Sequence, residues 1–128
     1  MKMREILFRG KGNPDYNDGD GSWFEGYLTY NEGNYQIVDK NFFKNHIVIK
    51  ETIGQYTGLN DKNGKKIYEG DIIDFEDRKD CNYGVIKYSA EFTEFYFEHD
   101  GCYDSLGFCY HNYDLEIVGN IYDNPDLI

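Results

Sequence analysis

Residues 52–71, TIGQYTGLNDKNGKKIYEGD, constrain the fold more than any other stretch of the chain. Gly58 ends a β-prone segment and suits the positive φ that a tight reversal needs. Asn63-Gly64 is the strongest short-range hairpin signal in the sequence, because a type I′ turn requires positive φ at both central residues. Glu69-Gly70-Asp71 marks a second reversal, and Ile72-Ile73-Asp74-Phe75 then begins another strand-like run. Glycines in such loops serve the backbone, so Gly58, Asn63, Gly64, Gly70 and Asp71 are assigned to turns rather than to a ligand.

The rest of the chain has the same grain. Period-two alternation and turn punctuation predict strands at residues 5–9, 23–30, 35–38, 47–50, 52–57, 65–68, 72–76, 83–88, 92–98 and 115–121. Residues 23–38 read as a hairpin about Asn31-Glu32-Gly33-Asn34, Gly54 as a bulge, and 39–45 as loop or a short helical turn. In 92–98 the Phe95 face is the one expected to be buried. The only helical turn expected near the carboxyl terminus is at 124–128. Many short strands joined by Gly-rich turns predict a mainly β fold with little helix. That fold is a small barrel-like or strongly twisted antiparallel sheet beneath an amino-terminal hairpin layer. The 128 residues suit one domain, with a subdivision conceivable near residue 50.

Charge narrows the function classes. Twenty-four acidic against 13 basic residues leave a formal charge of −11. Phosphate neutralisation needs a basic surface, so direct nucleic-acid binding is not expected, nor is an anionic membrane. Thirteen Tyr, nine Phe and one Trp supply enough ring surface to fill a core, which argues against disorder despite the charge. No apolar run is long enough to span a bilayer, and the opening MKMREILFRGKG has too short an apolar centre for a secretory signal. With three cysteines, an odd number, a reducing cytoplasm and unpaired thiols are expected.

The run at 52–71 also resembles the signature block of the YopX family of phage and prophage proteins. Arg4-Glu5-Ile6-Leu7-Phe8-Arg9-Gly10 with Trp23-Phe24-Glu25-Gly26-Tyr27-Leu28 resembles the family's opening. Leu115-Glu116-Ile117-Val118-Gly119-Asn120-Ile121-Tyr122-Asp123-Asn124-Pro125 resembles its close. The resemblance implies a small phage-associated protein, placed in the host cytoplasm, of unknown biochemical role. It carries over no catalytic residue.

Two clusters are candidates for metal chemistry. His99, Cys102, Cys109 and His111, with Cys81 in reach, supply thiolates and imidazoles of the kind zinc takes. Their spacing departs from the common zinc fingers, and a loop of polar histidines and half-buried thiols is the plainer reading. The loop 13–22 offers Asp15, Asn17, Asp18 and Asp20 as calcium-type oxygens, but the EF-hand register fails. No P-loop, dinucleotide fingerprint or nucleophile elbow is present. The sequence therefore favours a non-enzymatic accessory protein without a cofactor, binding a protein partner and self-associating through aromatic strand edges. A DNA mimic that occupies a host DNA-binding protein is the alternative, and a metal-dependent enzyme the second.

Overall fold

A computed structural model describes residues 3–16, 20–39, 41, 44–75, 83–99 and 101–128. The chain forms two compact units, Met1–Tyr56 and Thr57–Ile128. The fold is mainly β and antiparallel, with one α-helix and two short 3₁₀ turns among the described residues. Its two sheets are open rather than closed into a barrel.

In the first unit the strands are β1 (Phe8–Lys11), β2 (Trp23–Asn31), β3 (Asn34–Asp39), β4 (Asn45–Ile47) and the start of β5 (Gly54–Asn60), in the order β4-β3-β2-β1-β5. The hairpin joining β2 to β3 closes at Asn31 opposite Asn34. Its two loop residues, Glu32 and Gly33, have φ of 52° and 84°, the signature of a type I′ turn. Gly26 lies between β1 and β3, opposite Phe8 on one side and Asp39 on the other. A Cβ there would meet the Val38 carbonyl oxygen at 1.9 Å, so only glycine fits. Leu7, Ile37, Val48 and Tyr56 are buried, and His46 stacks on Phe24 at 3.8 Å.

The strands expected at 47–50 and 52–57 are interrupted. β4 ends at Ile47, and Lys50–Thr52 forms a 3₁₀ turn before β5 starts at Gly54. The cause is Thr52, whose hydroxyl donates to the Ile49 carbonyl at 2.6 Å and accepts from the Lys11 amide at 2.9 Å. Such a side chain offers the backbone an alternative to the sheet ladder.

In the second unit β5 ends and pairs with β6 (Lys66–Tyr68). The remaining strands are β7 (Asp71–Phe75), β8 (Gly84–Ser89), β9 (Glu94–His99), β10 (Cys102–Ser105) and β11 (Leu115–Asn120), in the order β10-β9-β8-β7-β11. The helix α1 (Leu106–Asn112) follows β10 directly. Ile67, Ile73, Phe75, Ile86, Phe97, Leu106, Cys109 and Leu115 form one core cluster, with Phe95 packed against its margin. Each large side chain fully buried there contributes about 1.5–3 kcal/mol. Gly84 makes room for this core, since a Cβ on it would lie 2.4 Å from the Phe97 ring.

Neither β10 nor α1 is expected from the sequence. The helix contains Gly107, two aromatics and no strong helix former except Leu106. It forms because the Ser105 hydroxyl caps the Phe108 amide, and because Leu106 and Cys109, three residues apart, share the face turned to the core.

Candidate functional site

Within the run at 52–71, the part in the second unit exposes residues 62–65 but buries Asp61, Ile67, Tyr68 and Asp71. Asp61 is 7% exposed. Its Oδ1 accepts from the amides of Asn63 and Lys65, both at 2.9 Å, and its Oδ2 accepts from the Ile117 amide of β11 at 3.0 Å. The Gly64 amide donates to the Asp61 carbonyl, and the Asp61 amide to the Lys65 carbonyl. The hairpin is therefore a three-residue loop, Lys62-Asn63-Gly64, with only Gly64 at positive φ (82°). The expected type I′ turn at Asn63-Gly64 is absent, because the Asp61 carboxylate supplies the closure. Gly58 has φ 88° but sits inside β5 rather than at a reversal, and Gly70 has φ 89° in the turn before β7. Asp71, almost wholly buried, closes that turn by accepting from the Tyr68 amide at 2.8 Å.

The carboxyl-terminal segment locks the same region. The Ile121 amide donates to the Gly70 carbonyl, and the Gly70 amide donates to Ile86. Asn120 Oδ1 accepts from the amides of Tyr122 and Asp123, while Asn124 Oδ1 accepts from the Asn120 amide. These polar side chains satisfy backbone donors, and so serve the frame rather than a ligand.

Burial pushes the Asp61 carboxyl up, but the amides of Ile117, Lys65 and Asn63 together hold it below the ordinary 3.8. A depressed folded-state value gives stability that is present above the unfolded pKa and is lost as pH falls through the folded one. Acid titration of unfolding should therefore show stability falling below about pH 3.8. The Asp61→Asn variant, already weaker at neutral pH, should show a shallower acid limb. An identical acid limb in both proteins would rule out Asp61 as its source.

Among the described residues no three His, Cys, Asp or Glu side chains are placed to hold an ion, so His99, Cys102, Cys109 and His111 are not brought together, while the loop 13–22 is described only in part. His99 ends β9 with its ring buried near Phe75 and Phe97, and its Nε2 shares a short hydrogen bond with Asp104. Cys109 is in the core, whereas Cys102 and His111 are exposed. His99 ends β9 and Cys102 opens β10, whereas Cys109 and His111 are on the helix α1. Cys81 lies outside the described residues, as do Asn17 and Asp18. Asn13 Oδ1 accepts from the Asp15 amide, and Asp20 Oδ1 from the Ser22 amide. Hydrogen bonds from the hydroxyl and amide of Ser22 lower the Asp20 carboxyl pKa.

The chemistry that faces solvent is on β8, β9 and β10. Cross-strand pairs Lys87 with Tyr96, Ser89 with Glu94, and Glu98 with Tyr103 put these six side chains on one face, opposite Phe97. Tyr96 and Tyr103 stack with centroids 4.3 Å apart and planes 17° from parallel. Phe92, in the loop before β9, meets Tyr103 at 5.8 Å with an interplanar angle of 66°. The Tyr103 hydroxyl donates a short hydrogen bond to Glu94 Oε1. Desolvation by its neighbours, followed by that carboxylate, raises the Tyr103 phenol above its ordinary value. Lys87 and Glu98 pair at 3.2 Å. Beside them Tyr83, Val85, His99, Leu127 and Ile128 line a hollow of about 380 Å³. The alternation of 92–98 places Glu94 and Tyr96 outward, but Tyr103 escapes a sequence reading because its strand does.

A sequence model of the YopX protein family matches residues 8–128. The chain belongs to the YopX family. A crystal structure of protein EF1440 from Enterococcus faecalis has the same fold, with a TM-score of 0.59 and 23% identity. The similarity covers 98% of this chain and 99% of that one. No curated protein matches the sequence. The stretches that resemble the YopX block and its close supply Asp61, Asp71, Asn120 and Asn124, whose contacts are internal. No helix among the described residues is long and apolar enough to cross a membrane.

Proposed function

We propose that this YopX-family chain is a non-enzymatic phage or prophage accessory protein that binds another protein through the outer face of β8–β10. The observation that carries the reading is the cluster of exposed Phe92 and Tyr103 with half-buried Tyr96, set among Glu94 and Glu98. Tyrosine and phenylalanine are enriched at interfaces, where they provide area at low entropic cost. The surrounding carboxylates and the charge of −11 steer a basic partner towards that face. A second copy is the poorer occupant, because two such faces repel each other. Self-association, if it accompanies partner binding, belongs on another surface.

DNA mimicry draws less support. Rows of unopposed carboxylates would imitate phosphates, yet Glu98 is paired with Lys87 and Glu116 with Lys62 at 3.3 Å. The test is capture of partners from host lysate by the wild-type chain and by Tyr96→Ala/Tyr103→Ala, read by mass spectrometry. A basic partner lost on the double variant and retained at raised salt is the expected result. Equal capture by both baits would overturn the reading, and steep loss with salt would favour mimicry.

A further inference from the structure

We infer that the corner between Phe92 and Tyr103, with the Glu94 carboxylate at its side, receives one cationic side chain, arginine or lysine, from a basic peptide. This rests on the protein-binding reading above and names what that face selects. The two rings meet in an edge-type contact at 5.8 Å with their planes 66° apart, and both stand exposed beside the Glu94 carboxylate. Tyr96 stacks on Tyr103, and the Tyr103 hydroxyl is tied to Glu94, so ring and carboxylate are held together. Ring quadrupoles and a carboxylate both attract a cation and repel a carboxylate or phosphate. Charge complementarity therefore commits the corner to a basic occupant.

The loop is built to present the ring. Thr93 has φ 52°, a left-handed conformation that a β-branched residue strongly disfavours. The Phe92 amide donates to the Ser89 hydroxyl at 3.1 Å, and the Thr93 hydroxyl donates to the Phe92 carbonyl at 2.7 Å. These bonds hold Phe92 at 62% exposure beside Tyr103 at 43%, where burial would be the cheaper fate of a phenyl ring. Strain maintained at a position that displays an apolar side chain is a mark of a binding site. Thr93 is a positioning residue, and the hollow beside Glu98 offers space for a neighbouring side chain of the same peptide.

The experiment is calorimetric titration of the intact chain with short oligoarginine, oligolysine and, as the uncharged isostere of arginine, oligocitrulline. The cationic peptides should bind and oligocitrulline should not. Phe92→Leu and Tyr103→Leu keep apolar bulk but remove the ring, and each should weaken binding about fivefold. Glu94→Gln should weaken it further than Glu51→Gln, an equal charge change at an exposed position in the first unit. Thr93→Gly should weaken binding while leaving the melting temperature unchanged or raised, a pairing that a purely structural role would not give. Failure of both cationic peptides to bind overturns the inference. So do equal losses for Glu94→Gln and Glu51→Gln with the leucine variants unaffected, which would reduce the effect to bulk charge. If a captured partner is lost on Tyr96→Ala/Tyr103→Ala but kept by both leucine variants, the face binds protein and the cation receptor is wrong.

Discussion

Asp61→Ala is expected to lower the unfolding free energy by about 3–5 kcal/mol, because hydrogen bonds to a charged group are worth about 1.5–3 kcal/mol each and water recovers part of the loss at exposed Asn63 and Lys65. Three amides lose their acceptor at once, and the Ile117 donor belongs to a different strand from the hairpin. Domains of this size hold only about 5–15 kcal/mol in total, so the variant should be marginal at room temperature. Denaturant unfolding measures it directly: the midpoint falls while the slope is unchanged. Asp61→Asn retains one carbonyl acceptor and should fall between wild type and alanine. A loss below about 1 kcal/mol for the alanine variant would mean that water replaces the carboxylate without cost.

Gly26→Ala should destabilise the first unit by about 3 kcal/mol, the upper end of what overpacking usually costs. The obstacle is a backbone carbonyl, that of Val38 at 1.9 Å, and it cannot rotate aside as a side chain would. Relief requires β3 to move away from β2 at the Gly26–Asp39 end of their ladder, where β2 is held on its other side by β1. Gly33→Ala is the informative comparison. Nothing lies within 4 Å of a Cβ there, and its cost comes only from φ 84°, about 1 kcal/mol. Equal melting temperatures for the two variants would show that the strand spacing at Gly26 is looser than the structure has it.

The sequence makes some of this legible and hides the rest for identifiable reasons. Alternation in 92–98 separates Phe97, which is buried, from Tyr96, which is not, because a half-buried strand writes its period directly into residue type. The hairpin near Asn63-Gly64 is legible too, but its turn type is not. Asp61 overrides the Asn-Gly preference through a carboxylate whose third donor comes from Ile117, 56 residues away. The helix α1 is invisible to propensity, since Gly107, Phe108 and Tyr110 are weak helix formers rescued by burial of Leu106 and Cys109. The corner at Phe92 is hidden for a further reason. Its geometry depends on the register that sets Tyr103 opposite Glu98, and on the left-handed turn at Thr93. Neither is a property of a local window.

The bond from Ile117 to Asp61 also orders events in time. A chain emerging from its amino terminus makes the 61–65 hairpin long before it makes β11. Until residue 117 is available, the Asp61 carboxylate has only its local donors, and the Gly70 carbonyl lacks the Ile121 amide that it accepts from in the finished unit. Long-range contacts of this kind are paid for in loop entropy before they return any stability. The hairpin at 61–65 and the turn at Gly70 therefore gain their last hydrogen bonds only once residues 117 and 121 are in place.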